Sequence, residues 1–490
     1  MKSINPTLSF IIGLLVLLIV SACSKDSELF EFAIQEEIIE NIEEETAENT
    51  EEQSDEESES EDNEDSQNND NSEDPQNNDP DPSDNDNSSN ENNGDGVNLS
   101  NFGVVGDGNA DDTSALQNAF NSGQNLVANS GLTLKISSTI NIISGSNQTV
   151  EWNGSTISIA RSNLVLFIID KPNGGLTTMN NLLIEGNEIA QDGFQIHSPI
   201  AFDNVDIQNL YSATNAPQAF AIFFDNNFTQ NSSMTNCDCT GLNALNNNVI
   251  GDAIGATRCF GFYVSGIPSS QSTFTVSNFD FGEVWSEDGD VIEILDTLFE
   301  DTGSDIGQTY SPLIIENGTV SNWGRRGVKG TGGGYILRSI VFEPAEASNP
   351  NLPSSSRLGP SGIIAMGHTY FPAGADSRGN YGIAWGGLIE KCTFNGSSYD
   401  TQVILTRSDE LTFKNNVLNN GADLQFQQNP RNIYVCNNQF GAGSIIYEQG
   451  PVFFPNLSNI VIASDNTFVE SNYNRLNSWN STETTFSCDN

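Results

Sequence analysis

The chain has 490 residues, with 66 Asp and Glu against 17 Lys and Arg, a formal net charge of −49. Residues 1–96 hold 29 of the acids and 2 of the bases, which leaves 37 and 15 for the remainder. Such acidity excludes nucleic acid and anionic membrane surfaces as partners, and two histidines, His197 and His368, exclude a multi-histidine metal centre.

Lys2 precedes an apolar run from Leu8 to Val20 that is too short to span a bilayer comfortably. The run ends in Val20-Ser21-Ala22-Cys23, which resembles the lipobox of bacterial lipoproteins. That resemblance implies a lipoprotein signal peptide over 1–22 and acylation of Cys23. The implied location is the outer membrane, with the protein at the cell surface or released to the medium and the Cys23 lipid its only membrane contact. Residues 23–97 follow as an acidic tether of Glu, Asp, Asn and Ser. With so few apolar side chains it cannot offset its ordering entropy, and self-repulsion extends it.

The folded part begins at about residue 98. Asn101-Phe102-Gly103-Val104-Val105-Gly106-Asp107-Gly108 reads as a strand and turn, and a short helix follows with Ala115, Leu116, Ala119 and Phe120 on one face. Asp112 or Thr113 is its expected N-cap. This opening resembles the N-terminal cap of the pectin-lyase-like right-handed parallel β-helix proteins. The resemblance implies an all-β fold for 98–490, a single-stranded right-handed parallel β-helix whose open end the helix covers.

Internal repeats point to the same fold. Four segments end on Phe394, Leu418, Phe440 and Phe468, at steps of 24, 22 and 28 residues. Unequal steps suit a solenoid whose turns vary while its short strands stay stacked. The Asn residues before Leu418, Phe440 and Phe468 suit left-handed corners that ladder from coil to coil.

Beyond Cys23 there are six cysteines, Cys237, Cys239, Cys259, Cys392, Cys436 and Cys488. Their spacing does not suit zinc. Cys237 and Cys239 are expected to face the same way, and Cys392 and Cys436, two coils apart, lie beyond disulfide reach. Buried thiols or one local disulfide near Cys259 are expected.

Two segments concentrate charge. Glu287, Asp288, Asp290 and Glu293 fall within seven residues, and Arg325, Arg326 and Lys329 within five. Aligning Trp285 with Trp323 places Asp288 near Arg326 and Glu293 near Lys329 on successive coils. Asp288 and Asp290, two apart on an extended strand, would stand about 6.5–7 Å apart, a spacing that inverting glycosidases use for an acid and a base. Glu293 is a third candidate. The basic trio, with His368, would bind a sulfate or carboxylate. Three alternatives stand beside this reading: calcium held by Glu287, Asp288, Asp290 and Glu293, a structural ion-pair ladder, and a lyase with an Arg or Lys base. His197 is read as structural.

The ensemble resembles the iota-carrageenases of glycoside hydrolase family 82. The resemblance implies a monomeric hydrolase of a sulfated algal galactan, cutting β-1,4 bonds with inversion through an acidic pair and needing no cofactor. An anionic polysaccharide is the expected partner under every enzymatic reading. A lyase acting on uronates and a non-catalytic carbohydrate-binding β-helix remain the alternatives.

Overall fold

A computed structural model describes residues 96–490 except 213–216, 245–256, 287–288, 297–311, 331, 346–361, 367–383, 399, 407, 428–429, 431, 450–459, 471–480 and 485–490. The expected leader, Cys23 and the expected tether up to residue 95 lie outside the described residues, as do Glu287, Asp288, His368 and Cys488. Val97, read as the end of the tether, instead pairs with Leu126 in the first strand.

Every strand pairing among the described residues is parallel, and each strand pairs with its counterpart one coil on. The chain winds as a right-handed parallel β-helix, with one larger sheet and, among the described residues, a smaller one of eleven strands. The six strands of the smaller sheet that build the site are β1 (Asp192–Ile196), β2 (Gln218–Phe224), β3 (Arg258–Val264), β4 (Asp290–Asp296), β5 (Arg326–Gly330) and β6 (Gly362–Met366). Parallel strands buried on the inner face need apolar side chains at stacked positions. Phe194, Phe220, Phe260, Ile292, Val328 and Ile364 form one such row. Phe194 stacks on Phe220 with ring centres 5.7 Å apart.

Helix α1 (Thr113–Asn121) buries Leu116, Ala119 and Phe120 against the first coils. Phe120 meets Phe167 edge-on at 5.9 Å, so the helix covers the end of the core. The capping differs from expectation. Asp112 stands at the N-cap position but makes no cap bond there. Its carboxylate turns back to accept from the N–H groups of Val105 and Gly106, and Asp111 accepts from Thr113 N–H instead. One side chain cannot tie down the preceding loop and the helix together.

The four sequence markers fall in one column, with Phe394 opposite Leu418, Leu418 opposite Phe440 and Phe440 opposite Phe468. Asn415 and Asn437 hold left-handed corners at φ 58° and 50°, and Asn437 Nδ2 donates to Asn415 Oδ1. Inside them runs a buried ladder in which Cys392, Asn416 and Asn438 each donate a backbone N–H to the Asn side chain one coil on. These bonds satisfy the backbone groups that a tight corner leaves over. Among the described residues no helix is long and apolar enough to cross a membrane.

Candidate functional site

The charged segments meet on the outer face of the smaller sheet. Asp192, Gln218, Arg258, Asp290 and Arg326 occupy one row across β1 to β5. A second row, three residues further on, holds Gln195, Ala221, Gly261, Glu293 and Lys329. The two rows share a face because each strand bends between them. In β4, Val291, Ile292 and Ile294 all enter the core, while Asp290 and Glu293 both reach Arg258.

This corrects the register read from the sequence. Asp290, not Asp288, stands opposite Arg326, while Glu293 is opposite Lys329 as expected. Trp323 pairs with Val284, one residue before Trp285. The same-face acids among the described residues are Asp290 and Glu293, spaced three apart across the bend, where an unbroken extended strand would pair residues two apart.

Arg326 grips Asp290 with two parallel bonds, Nε to Oδ1 at 2.6 Å and a terminal nitrogen to Oδ2 at 2.8 Å. Arg258 donates from Nε to Glu293 Oε2 at 2.5 Å and lies 3.9 Å from Asp290. Lys329 reaches the other Glu293 oxygen at 2.9 Å. No member of this set is more than 5% exposed. Among the described residues, Arg258, Arg326 and Lys329 here meet the carboxylates of Asp290 and Glu293. Burial pushes the Glu293 carboxyl up, but Arg258 and Lys329 outweigh it and hold the group down to about 2. Arg325 is also buried, and its backbone N–H donates to Gly289 O.

Tyr263 connects this network to the surface. Gly261 leaves the space above the sheet open, and the tyrosine ring lies where a Cβ there would stand, 2.5 Å from its hydroxyl. The Tyr263 hydroxyl is thereby placed 2.8 Å from Gln218 Oε1 and 3.2 Å from Glu293 Oε2. Its half-buried ring continues a column with Phe223, centres 5.4 Å apart, and with His197, which stacks on Phe223 at 4.5 Å and 3°. Burial pushes the His197 imidazole below its ordinary range, against the opposing fields of Asp170 and Asp225. At the end of the first row Asp192 accepts from Gln218 N–H and from the Gln195 amide. Burial raises its carboxyl to about 7.

Of the candidates named from sequence, Asp290, Glu293, Arg325, Arg326 and Lys329 are gathered here. Glu287, Asp288 and His368 lie outside the described residues. Sequence reading missed Arg258, Tyr263, Gln218 and Asp192, and set His197 apart from the groove. The signal was present: Arg258-x-x-Gly261, Asp290-x-x-Glu293 and Arg326-x-x-Lys329 share one spacing. Among the described residues no group of three or more metal-ligating side chains comes together. A calcium ion at Asp290 and Glu293 would have to displace the guanidinium and ammonium groups already bonded there.

Fold and site together define a β-helix with a charged and aromatic face along one sheet. Among solved structures, the A-module of the Azotobacter vinelandii mannuronan C-5 epimerase AlgE4 is similar. It shares 11% identity over 79% of this chain and 99% of that one, with a TM-score of 0.52. The Streptococcus pneumoniae surface adhesin PfbA is similar at 16% identity over 76% of this chain and 91% of that one, with a TM-score of 0.50. At such identities the likeness extends to the fold. No family profile matches the chain, and no curated sequence is significantly similar to it.

Proposed function

We propose that the protein binds an anionic polysaccharide along the outer face of the smaller sheet and cleaves it by elimination beside a uronate carboxylate. The observation that carries this reading is the placement of Glu293, bonded by Arg258 on one oxygen and Lys329 on the other, which together hold its carboxyl down to about 2. Inverting hydrolysis needs one carboxyl that keeps its proton near neutral pH and one that does not. Glu293 cannot keep a proton there, and Asp290 is engaged by two guanidinium nitrogens of Arg326. Neither of these two acids suits the general-acid role. Asp288, the partner that the iota-carrageenase-like reading gives Asp290, lies outside the described residues, and Asp192, raised to about 7, is the described carboxyl of this face that holds a proton near neutral pH.

Elimination asks for different parts. A base removes the proton next to the carboxylate, a cationic environment stabilises the charge that develops, and the leaving oxygen takes up a proton. Arg258 and Lys329 supply the field. Tyr263 presents its hydroxyl above them, in contact with Glu293. His197 adds an imidazole that burial pushes below its ordinary range. The half-buried rings of His197, Phe223 and Tyr263, with the amides of Gln195 and Gln218, offer apolar faces and paired hydrogen-bonding groups of the kind sugars use. A non-catalytic glycan-binding β-helix would use the same surface.

Incubation with alginate, pectin, glycosaminoglycans and carrageenans, scored separately for unsaturated uronates and for saturated reducing ends, tests the proposal. Unsaturated products that vanish in Tyr263→Phe, with polymer binding retained, are expected. Saturated sulfated oligosaccharides would overturn it in favour of a hydrolase. Binding without cleavage of any polymer would leave the glycan-binding face and remove the enzyme.

A further inference from the structure

Two cysteines stand directly behind this site. Cys239 belongs to the strand Asp238–Thr240 of the larger sheet, and Cys259 follows Arg258 as the second residue of β3. Both are 0% exposed, and their sulfur atoms are 2.6 Å apart. That is well inside the contact distance of unbonded heavy atoms, roughly 3.5–4.0 Å even for carbon. The structure has both as thiols, with Cys259 also facing Cys239 O and Gly282 O, and two separate thiols this close in a close-packed core repel each other. The remaining described thiols are engaged elsewhere: Cys237 with Thr235 O, and Cys392 with Glu390 O and Leu337 O. Cys436 is disulfide-bonded, so the folded chain already contains oxidised cysteine.

We propose that Cys239 and Cys259 are joined by a disulfide, a covalent tie between the two sheets placed immediately behind Arg258. Its formation is a thiol–disulfide exchange. The thiolate of one cysteine attacks the disulfide of an oxidoreductase, and the second displaces that partner as a thiol. Two protons and two electrons leave the pair, and the oxidant departs as a dithiol. The bond must form before the coil closes, because the folded core admits neither oxidoreductase nor reductant. Burial and the neighbouring Cys259 sulfur also push the Cys239 thiol well up, which leaves too little thiolate for exchange after folding.

The tie has a consequence for the site. Arg258 contacts both Asp290 and Glu293. A cross-link at the adjacent residue anchors its backbone to the opposite sheet, so the guanidinium is aimed from a fixed point.

The test uses the full chain exported through its own leader and purified without reductant. It is unfolded in denaturant with a thiol-alkylating reagent, digested, and mapped by mass spectrometry. The expected result is alkylation at Cys237 and Cys392, with the Cys239 and Cys259 peptides recovered as one species, two hydrogens lighter than their sum and separated by reductant. Alkylation of both Cys239 and Cys259, or linkage of either to Cys237, overturns the proposal.

Discussion

Replacing Glu293 by Gln keeps the shape of the side chain and removes its charge from beside Arg258 and Lys329. The cost follows from the pH linkage of this one group. Its carboxyl is held at about 2 against an ordinary 4.5, a difference worth about 3 kcal/mol at 1.36 kcal/mol per pH unit. Glu293 is only 5% exposed, so solvent screening takes little from this figure. Breaking a buried ion pair from one side costs about 3–5 kcal/mol, in agreement. Because the folded value lies below the unfolded one, the stabilisation is fully present above pH 4.5 and is lost as pH falls through 2. Chemical denaturation of the wild type and Glu293→Gln should therefore differ by about 3 kcal/mol at pH 7, with the gap narrowing below pH 4.5 and closing near pH 2. Equal stability at pH 7, or a gap that stays constant down to pH 2, would refute the assignment of Glu293 as the ionised centre of the network.

Asp192 should behave in the opposite sense. Its carboxyl is raised by burial to about 7, so the wild type loses stability as pH rises from about 4 through 7. Asp192→Asn should be spared that loss and be the more stable protein at pH 8, by up to about 4 kcal/mol in denaturant titrations. Lys171 is fully buried, donating to the backbone oxygens of Ser146 and Leu176, and burial lowers its amine to about 8. The wild type should gain stability relative to Lys171→Met as pH rises from 8 towards 10.5, and parallel pH profiles for the two would contradict a buried charged amine. Gly261→Ala places a methyl group where the Tyr263 ring lies. Glycan binding and turnover should fall at least tenfold, measured by affinity electrophoresis and product release, with a much smaller change in thermal midpoint. Unchanged turnover would remove Tyr263 from the reaction.

The architecture was legible in the sequence because a solenoid repeats a local pattern. Each coil buries one inward apolar row and turns at a left-handed corner, most often an Asn, and both leave a mark within about twenty-five residues of chain. Phe394, Leu418, Phe440 and Phe468 could therefore be aligned without coordinates, and they are in register. The charge clusters at Asp290 to Glu293 and Arg325 to Lys329 were equally visible, and the pairing of Glu293 with Lys329 was deduced correctly.

What the sequence could not show is which side chains share the outer face. That depends on the bend after Asp290, where two successive residues, Val291 and Ile292, both turn inward and the alternation of an ideal strand breaks. The bend puts Asp290 and Glu293 on one face. It also brings in Arg258, thirty-five residues from Glu293 in the chain. The position of Tyr263 depends on a missing side chain at Gly261, which sequence alone presents as one glycine among 43. Local periodicity determines the coil because it is enforced by nearest neighbours along the chain. The chemistry of the face arises between coils, where register, a bend and a vacant Cβ position decide which charges are compensated, and only the folded stack contains those relations.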